Sequence, residues 1–154
     1  RLIGEVRALG AEAVLDPAGD VAGAVAAALG DGRIDALLGT GGAGEGILAA
    51  CAVRAVGGTF WSRFDPQLAT ERARVRDAGL STERWYRVEE LVMSPEVLFC
   101  ATGIATGLLV EGAERRADGW RTQTLMLDGM TGERQLLTTW LPHGAVQQEV
   151  APCP

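Results

Sequence analysis

A glycine-rich segment, G-T-G-G-A-G-E-G at residues 39–46, separates a short apolar run at 34–38 from a helical pattern at 47–56. Together they predict a strand, a loop and a helix. The preceding residues repeat this plan, with an apolar strand at 13–15, a loop at 16–20 and a helix that ends at Gly30. Two such units predict an α/β fold: a mixed sheet with parallel pairing and helices on both faces.

The rest of the chain continues as alternating helices and strands. A helical pattern precedes Gly10, and two β-rich runs late in the chain flank a turn at 129–132, which is typical of a hairpin. The predicted elements between them are a strand at 59–64, a charged helix from Asp65 to Ala78, a strand at 85–87, a helical turn at 89–92 and a strand at 97–101. The hairpin strands are predicted at 121–128 and 133–141.

Size and composition indicate one globular domain. The chain has 154 residues, of which 47% are hydrophobic, so it can bury a sizeable core. We expect a domain at residues 1–141 and a loose tail at 142–154. The net charge of −6 and the lack of a basic stripe argue against nucleic acid or an anionic membrane as the main partner.

The cysteines and the apolar runs bear on localisation. Cys51, Cys100 and Cys153 are far apart and show no metal-ligand spacing, so a reducing cytoplasm is the simplest expectation. No apolar run approaches the ~18 residues of a membrane span, and the N-terminus shows no signal pattern.

Ligands of open α/β sheets bind beyond the carboxyl ends of the strands, where we expect the loops at 16–20, 39–46 and 102–107 to share a crevice. Glu45 places a carboxylate near a helix start, where it would repel a bare phosphate. Mg²⁺ or Mn²⁺ between the two groups would reverse that repulsion. The structural alternative is that Glu45 is only a first-turn helix acid.

Other candidates have simple structural explanations. Asp20 stands where a helix N-cap belongs, although it could also accept hydrogen bonds from sugar hydroxyls. His143 is isolated and predicted to be at the surface, and Arg115 and Arg116 are predicted to be a solvated pair beside Asp118. The four tryptophans share no spacing and are expected in the core or at subunit contacts: Trp61, Trp85, Trp120 and Trp140.

Three collinear motifs of this chain resemble those of one known family. G-T-G-G-A-G-E-G-I-L-A-A at 39–50 resembles the family's G-I-G-G-A-P-E-G-V-x-x-A. E-V-R-A-L-G-A at 5–11 with A-G-D-V at 18–21 is similar to E-[IV]-R-x-x-G-A and D-G-D-V. V-L-F-C-A-T-G-I at 97–104 with G-L-L at 107–109 resembles V-x-F-x-A-T-G-I-T-D-G-x-L-L. These motifs resemble those of class II fructose-1,6-bisphosphatases, a group that in cyanobacteria includes enzymes that also take sedoheptulose 1,7-bisphosphate, and the likeness extends to about residue 141.

The resemblance implies a metal-dependent phosphatase of gluconeogenesis, which hydrolyses the 1-phosphate of fructose 1,6-bisphosphate with Mg²⁺ or Mn²⁺. This chain would be the second domain of the two-domain sugar-phosphatase fold. Glu45 matches the metal-ligand glutamate and Gly42 the substrate-contacting glycine, while Ala18, Gly19 and Asp20 fall on the substrate-binding D-G-D.

The resemblance also implies that the chain is incomplete as an enzyme. The other metal carboxylates and the water-activating acid belong to the family's first domain, so no catalytic residue is expected here and the chain alone should be inactive. The missing N-terminal domain and further copies of the chain are the expected protein partners. An in-frame stretch upstream of Arg1 with acidic metal-ligand motifs would support this interpretation.

Departures from the motifs keep other functions open. Ala18 replaces an aspartate, Gly44 a proline, and Ala105-Thr106 a Thr-Asp pair. Ala18 and the changed Ala105-Thr106 favour a non-catalytic homologue that binds a sugar phosphate or serves as a subunit. A third hypothesis is a dinucleotide-binding module, because Gly39, Gly41 and Gly44 form G-x-G-x-x-G and Asp65 follows about 20 residues later.

Overall fold

The computed structural model describes residues 2–15, 19–32 and 34–144. Its helices are α1 (Leu2–Ala8), α2 (Asp20–Leu29), α3 (Ala43–Ala55), α4 (Ala69–Asp77) and α5 (Val88–Leu91). Its strands are β1 (Trp61–Ser62), β2 (Tyr86–Arg87), β3 (Leu98–Thr102), β4 (Glu114–Arg116), β5 (Gly119–Asp128) and β6 (Arg134–Pro142). The α/β class is therefore confirmed.

The helices end close to the predicted positions, but α3 begins at Ala43, four residues earlier than predicted and inside the predicted loop at 39–46. α2 is rich in alanine, the best helix former, and ends at Gly30, whose φ of 64° lies in the left-handed region that glycine adopts most readily. α4 begins at Ala69, later than predicted, because the Glu71 carboxylate accepts the backbone N–H groups of Gln67 and Leu68 and so fixes the first turn there.

The sheets differ from the predicted parallel arrangement. β1 pairs with β2, and β5 is the centre of a four-stranded sheet with β6 on one side and β3 and β4 on the other. Every strand pair in the described part of the chain is antiparallel. The runs at 13–15 and 34–38 are not strands, and Val14 and Leu38 are 80% and 64% exposed. The prediction of parallel strands there is wrong because no strand of the described residues pairs with either run.

The core lies between the helices and one face of the larger sheet. α2 packs on α3, and the buried cluster joins Val25 and Ala52 of these helices to Phe99, Leu125 and Leu127 of the sheet. On the opposite face, Leu98 is 63% exposed and Cys100 is also exposed, so the described helices cover one face of the sheet. Cys51 is half-buried in α3, and Cys153 lies outside the described residues.

The predicted hairpin is confirmed, and β5 and β6 extend it at the end away from the turn. β6 continues to Pro142 and a turn follows at His143, so the predicted loose tail begins with ordered residues and its remainder, 145–154, lies outside the described residues. None of the helices described is both long enough and apolar enough to cross a membrane.

Asp128 closes the turn of this hairpin and gives it a pH dependence. Its carboxylate accepts the backbone N–H groups of Met130 at 2.8 Å and Thr131 at 3.2 Å, which lowers its pKa from the ordinary 3.8. The stabilisation is present above the carboxyl pKa of the unfolded chain and is lost as the pH falls through the lower folded pKa. The Tm values of the wild type and of Asp128→Asn should therefore become equal in acid. An Asp128 that titrates above 3.8 by NMR would contradict this.

Candidate functional site

Asp20 is the first residue of α2 and does not cap it. The N-cap is Gly19, at φ 104° and ψ 42°, and no side chain caps this helix end. This left-handed conformation suits glycine, whereas a residue with a Cβ would be strained there. The prediction that Asp20 is the N-cap is therefore wrong, and its exposed carboxylate is left to point towards the glycine loop. Ala18, the first residue of the predicted substrate segment, lies outside the described residues.

Glu45 is the third residue of α3 and supports its first turn. Its Oε2 atom accepts the backbone N–H of Gly42, the N-cap residue, at 3.1 Å. This bond satisfies one of the amides that a helix start leaves without a partner. Glu45 is thus a first-turn acid, as the structural alternative predicted. A carboxylate has acceptor capacity beyond one N–H, so this role is compatible with binding a cation.

The two carboxylates meet at Gly41. A Cβ placed on Gly41 would lie 2.7 Å from Asp20 Oδ2 and 3.2 Å from Glu45 Oε2. A Cβ placed on Gly39 would lie 3.7 Å from Asp20 Oδ1, and a Cβ placed on Gly42 would lie 3.5 Å from Glu45 Oε2. The loop backbone therefore lies close to both carboxylates. These occupy the space that a side chain at position 41 would need. Gly41 was predicted only as part of a G-x-G-x-x-G motif and not as a site residue, although glycine at its centre is typical of close backbone approach.

The pair of carboxylates fits part of a divalent-cation site. Mg²⁺ prefers oxygen ligands and is commonly held by one or two carboxylates together with water and substrate phosphates. Asp20 and Glu45 can supply oxygens of this kind. In the described ranges, no group of three or more His, Cys, Asp or Glu side chains could hold a metal ion. Glu45 can thus contribute one ligand, while the described residues do not complete a metal site.

The loop at 102–107, the third predicted wall of the crevice, is tied to its own neighbours. Gly107 N–H donates to Val110 O at 3.0 Å, and Gly112 N–H donates to Thr106 Oγ1 at 3.0 Å. Asp20 and Glu45 take no part in these bonds. Thr106, at a departure from the family motif, therefore has a structural role in holding this loop.

The remaining candidates lie at the surface. His143 is exposed, and Arg115 and Arg116 are exposed as predicted, with Arg116 paired with Glu114 at 2.8 Å. The four tryptophans are 38–66% exposed, so the expectation of a core position is wrong and a subunit contact stays a prediction. The guanidinium groups of Arg87 and Arg63 lie over the rings of Trp61 and Trp85, 4.7 and 5.3 Å from their centroids. These two rings are thus partly covered by cation–π contacts.

Comparison with known proteins agrees with the motifs. Residues 1–141 match the family model described as bacterial fructose-1,6-bisphosphatase, glpX-encoded. The chain is 37% identical over 140 residues to fructose-1,6-bisphosphatase 2 class 2 of Escherichia coli, which covers 82% of the chain and 44% of that protein. It is 35% identical over 141 residues to fructose-1,6-bisphosphatase class 2 of Haemophilus influenzae, covering 83% of the chain and 42% of that protein.

A cyanobacterial relative is similar to the same extent. The D-fructose 1,6-bisphosphatase class 2/sedoheptulose 1,7-bisphosphatase of Trichodesmium erythraeum is 34% identical over 152 residues, which is 90% of the chain and 44% of that protein. The chain thus spans less than half the length of the curated relatives it matches. Because the family model matches nearly the whole chain, the chain belongs to the glpX-encoded family of bacterial class II fructose-1,6-bisphosphatases.

Proposed function

We propose that this chain is the C-terminal part of a longer sugar-bisphosphate phosphatase, which hydrolyses fructose 1,6-bisphosphate to fructose 6-phosphate with Mg²⁺ or Mn²⁺. The observation that carries the proposal is the approach of Asp20 and Glu45 to the same point of the glycine loop, at Gly41. Both residues fall on motifs that resemble those of the family. The names of the relatives point to the same class of substrate.

Each group of the site has a distinct role in this proposal. Glu45 supplies one carboxylate ligand, while Asp20 accepts hydrogen bonds from sugar hydroxyls. Gly42 lets the sugar phosphate approach the backbone, because it has no side chain, while Gly41 leaves room for the two carboxylates. The cation, when bound, would neutralise charge on the phosphate oxygens and lower the pKa of the attacking water.

The missing aspartate at position 18 bears on the sugar. Ala18 offers no polar group where the family motif has a carboxylate, so the proposed enzyme makes one sugar contact fewer than the motif allows. The relatives' names include both fructose and sedoheptulose bisphosphates as substrates. Comparison of kcat/KM for the two bisphosphates, using the longer protein, would identify the preferred one.

The isolated 154-residue chain should release no phosphate from fructose 1,6-bisphosphate in the presence of Mg²⁺ or Mn²⁺. Its described residues bring two carboxylates together, whereas metal-assisted phosphate hydrolysis needs more ligands and an acid that activates water. The measurement is inorganic phosphate released over many hours, with the Escherichia coli relative as positive control. Turnover by the isolated chain that Glu45→Gln abolishes would show that the chain contains a complete active site and would contradict the proposal.

A second candidate is a non-catalytic homologue that binds a sugar phosphate. It is favoured by the bond from Gly42 N–H to Glu45 Oε2, because a helix-capping role alone would explain this glutamate. Assays of the longer protein with several bisphosphates and both metals separate the two candidates. Binding of a bisphosphate without hydrolysis would favour this second function.

The structure argues against the dinucleotide-binding alternative. A dinucleotide fold needs a strand directly before the glycine loop, within a parallel sheet, and residues 34–38 form no strand. The Glu45 carboxylate at the helix start would also repel a pyrophosphate. Titration of the chain with NAD or NADP should therefore show no binding.

A further inference from the structure

Gly23 is a glycine in the interior of α2, where alanine would make a more stable helix. α2 has the sequence D-V-A-G-A-V-A-A-A-L, and Gly23 is its fourth residue and is buried. Glycine inside a helix is less favourable than alanine because it loses more backbone entropy on folding. A close contact at this position accounts for the missing side chain.

That contact is made by Leu37, which lies just before the glycine loop. A Cβ placed on Gly23 would lie 3.0 Å from Leu37 Cδ1, 3.7 Å from Cδ2 and 3.8 Å from Cγ. The three atoms nearest to that position thus all belong to Leu37, whose side chain lies against the α2 backbone. Non-bonded carbon atoms pack best at about 3.5–4.0 Å, so a methyl group on Gly23 would push Leu37 away.

The contact lies on the same side of α2 as the candidate site. Gly23 follows Asp20 by three residues, and residues with this spacing share one face of a helix. Leu37 lies against Gly23 on this face. Further along the chain, Gly41 lies beside the Asp20 carboxylate. The segment 37–41 therefore follows α2 towards the first residue of the helix.

The glycine loop is held against α2 by packing on both of its sides. Within the described ranges, no residue from 34 to 41 takes part in a hydrogen bond. After the loop, α3 packs on α2, with Ala49 and Val53 in one buried cluster with Ala24. Leu37 is the corresponding contact before the loop.

The position of the loop on α2 determines the separation of the two carboxylates. Glu45 is tied to the loop, because its Oε2 accepts the Gly42 N–H at 3.1 Å. Asp20 belongs to α2 and moves with that helix. A displacement of Leu37 from α2 would therefore move the loop and change the distance between the Asp20 and Glu45 oxygens.

We propose that Leu37 and Gly23 are positioning residues of the candidate site. The Leu37 side chain, packed on the α2 backbone at Gly23, sets the separation of Asp20 and Glu45. Neither residue binds substrate or metal, and both act through the two carboxylates. The consequence for catalysis rests on the proposed phosphatase function, whereas the contact and its effect on the loop do not.

NMR of the 154-residue chain tests the contact without reference to activity. The wild type should show a nuclear Overhauser effect between the Leu37 methyl groups and the Gly23 α protons. Gly23→Ala should shift the backbone amide resonance of Gly41, which is distant from it in sequence. Gly4→Ala is the control and should leave this resonance in place, since a Cβ on Gly4, in α1, would meet nothing within 4 Å.

Kinetics of the longer protein test the consequence for the site. Gly23→Ala should raise KM and the metal concentration for half-maximal rate about three- to fivefold, because displacement by a few tenths of an ångström costs part of the hundredfold loss caused by about 1 Å. Its Tm should not fall, since alanine is the better helix former. A residue with only a structural role would not impair the site while preserving stability.

Truncation of the partner side chain should impair the same two quantities. Leu37→Ala removes the contact and should raise KM and the metal requirement to a similar extent. Leu38→Ala is its matched control, because Leu38 is 64% exposed and makes no contact with Gly23. In the double variant Gly23→Ala, Leu37→Ala, the new methyl group has no leucine to displace, so the double variant should be no worse than Leu37→Ala alone.

The two sets of measurements separate this proposal from the proposed function. A missing Overhauser effect, or a Gly41 amide that Gly23→Ala does not shift, would overturn the positioning role whether or not the protein is a phosphatase. In an active longer protein, single losses that multiply in the double variant would also overturn it. A longer protein that hydrolyses no bisphosphate would contradict the proposed function, and the NMR result would then decide the positioning role by itself.

Discussion

In the proposed longer phosphatase, Glu45→Gln should lower kcat/KM for fructose 1,6-bisphosphate at least about a hundredfold while leaving the chain folded. Replacement of groups that only support a metal ligand costs about 10–100-fold, and loss of a ligand itself should cost no less. Glutamine has a carbonyl oxygen that can still accept the Gly42 N–H, so the first turn of α3 keeps its bond. The substitution thus removes the negative charge and preserves the cap.

Glu71→Gln in α4 is the matched control for this experiment. Glu71 is also the third residue of its helix, and its Oε2 accepts the Leu68 N–H at the same 3.1 Å. Both variants change one carboxylate to an amide at the same helix position, so they should have similar, small effects on Tm. Glu45→Gln alone should lose activity and require more Mn²⁺ for half-maximal rate. Equal kinetics for the two variants would reduce Glu45 to a helix-start acid.

The sequence predicted well those elements whose local pattern is unambiguous. The β5–β6 hairpin follows from two alternating runs on either side of a glycine-containing turn, and β3 follows from a short apolar run. The end of α2 follows from Gly30. In each of these cases, neighbouring residues carry enough information to define the element.

Pairing between distant segments could not be predicted in the same way. The runs at 13–15 and 34–38 are apolar enough to be strands, but a strand also needs a partner, and local sequence does not specify one. The order β3-β5-β4 with β6 beside β5 depends on contacts between residues that are distant in the chain. The prediction of parallel pairing at these two runs is wrong for this reason.

The candidate site was predicted in part, and its least predictable feature is the position of one side chain. The sequence motifs predicted Asp20 and Glu45 as site residues. However, the preference of aspartate for helix N-caps led to the prediction that the Asp20 side chain caps α2. The left-handed Gly19 takes the cap position and shifts Asp20 one residue into α2. As a result, the Asp20 carboxylate lies beside Gly41, with Oδ2 2.7 Å from the position of a Cβ on that glycine. This proximity depends on the packing of two loops.

Gly41→Ala should lower kcat/KM of the longer enzyme about 10–100-fold, because misplacement of a site by about 1 Å can cost that much. The new methyl group would lie 2.7 Å from Asp20 Oδ2 and 3.2 Å from Glu45 Oε2, so both carboxylates must move. The backbone itself should tolerate alanine, since Gly41 does not have a positive φ. The exposed ends of two side chains can move without unfolding the chain, so we expect a small change in Tm.

Two further glycines serve as graded controls for this substitution. A Cβ on Gly39 would lie at an ordinary contact distance of 3.7 Å from Asp20 Oδ1, and a Cβ on Gly46 would meet nothing within 4 Å. Gly39→Ala should therefore have a small effect on KM. Gly46→Ala should leave kinetics unchanged and stabilise α3 by up to about 1 kcal/mol, since alanine is the better helix former. If Gly41→Ala and Gly46→Ala gave the same KM and the same metal dependence, the two carboxylates would not act together at Gly41. For Gly41→Ala alone, KM and the metal concentration needed for half-maximal rate should both rise. Such a result would show that the loop backbone determines where the oxygens of Asp20 and Glu45 lie.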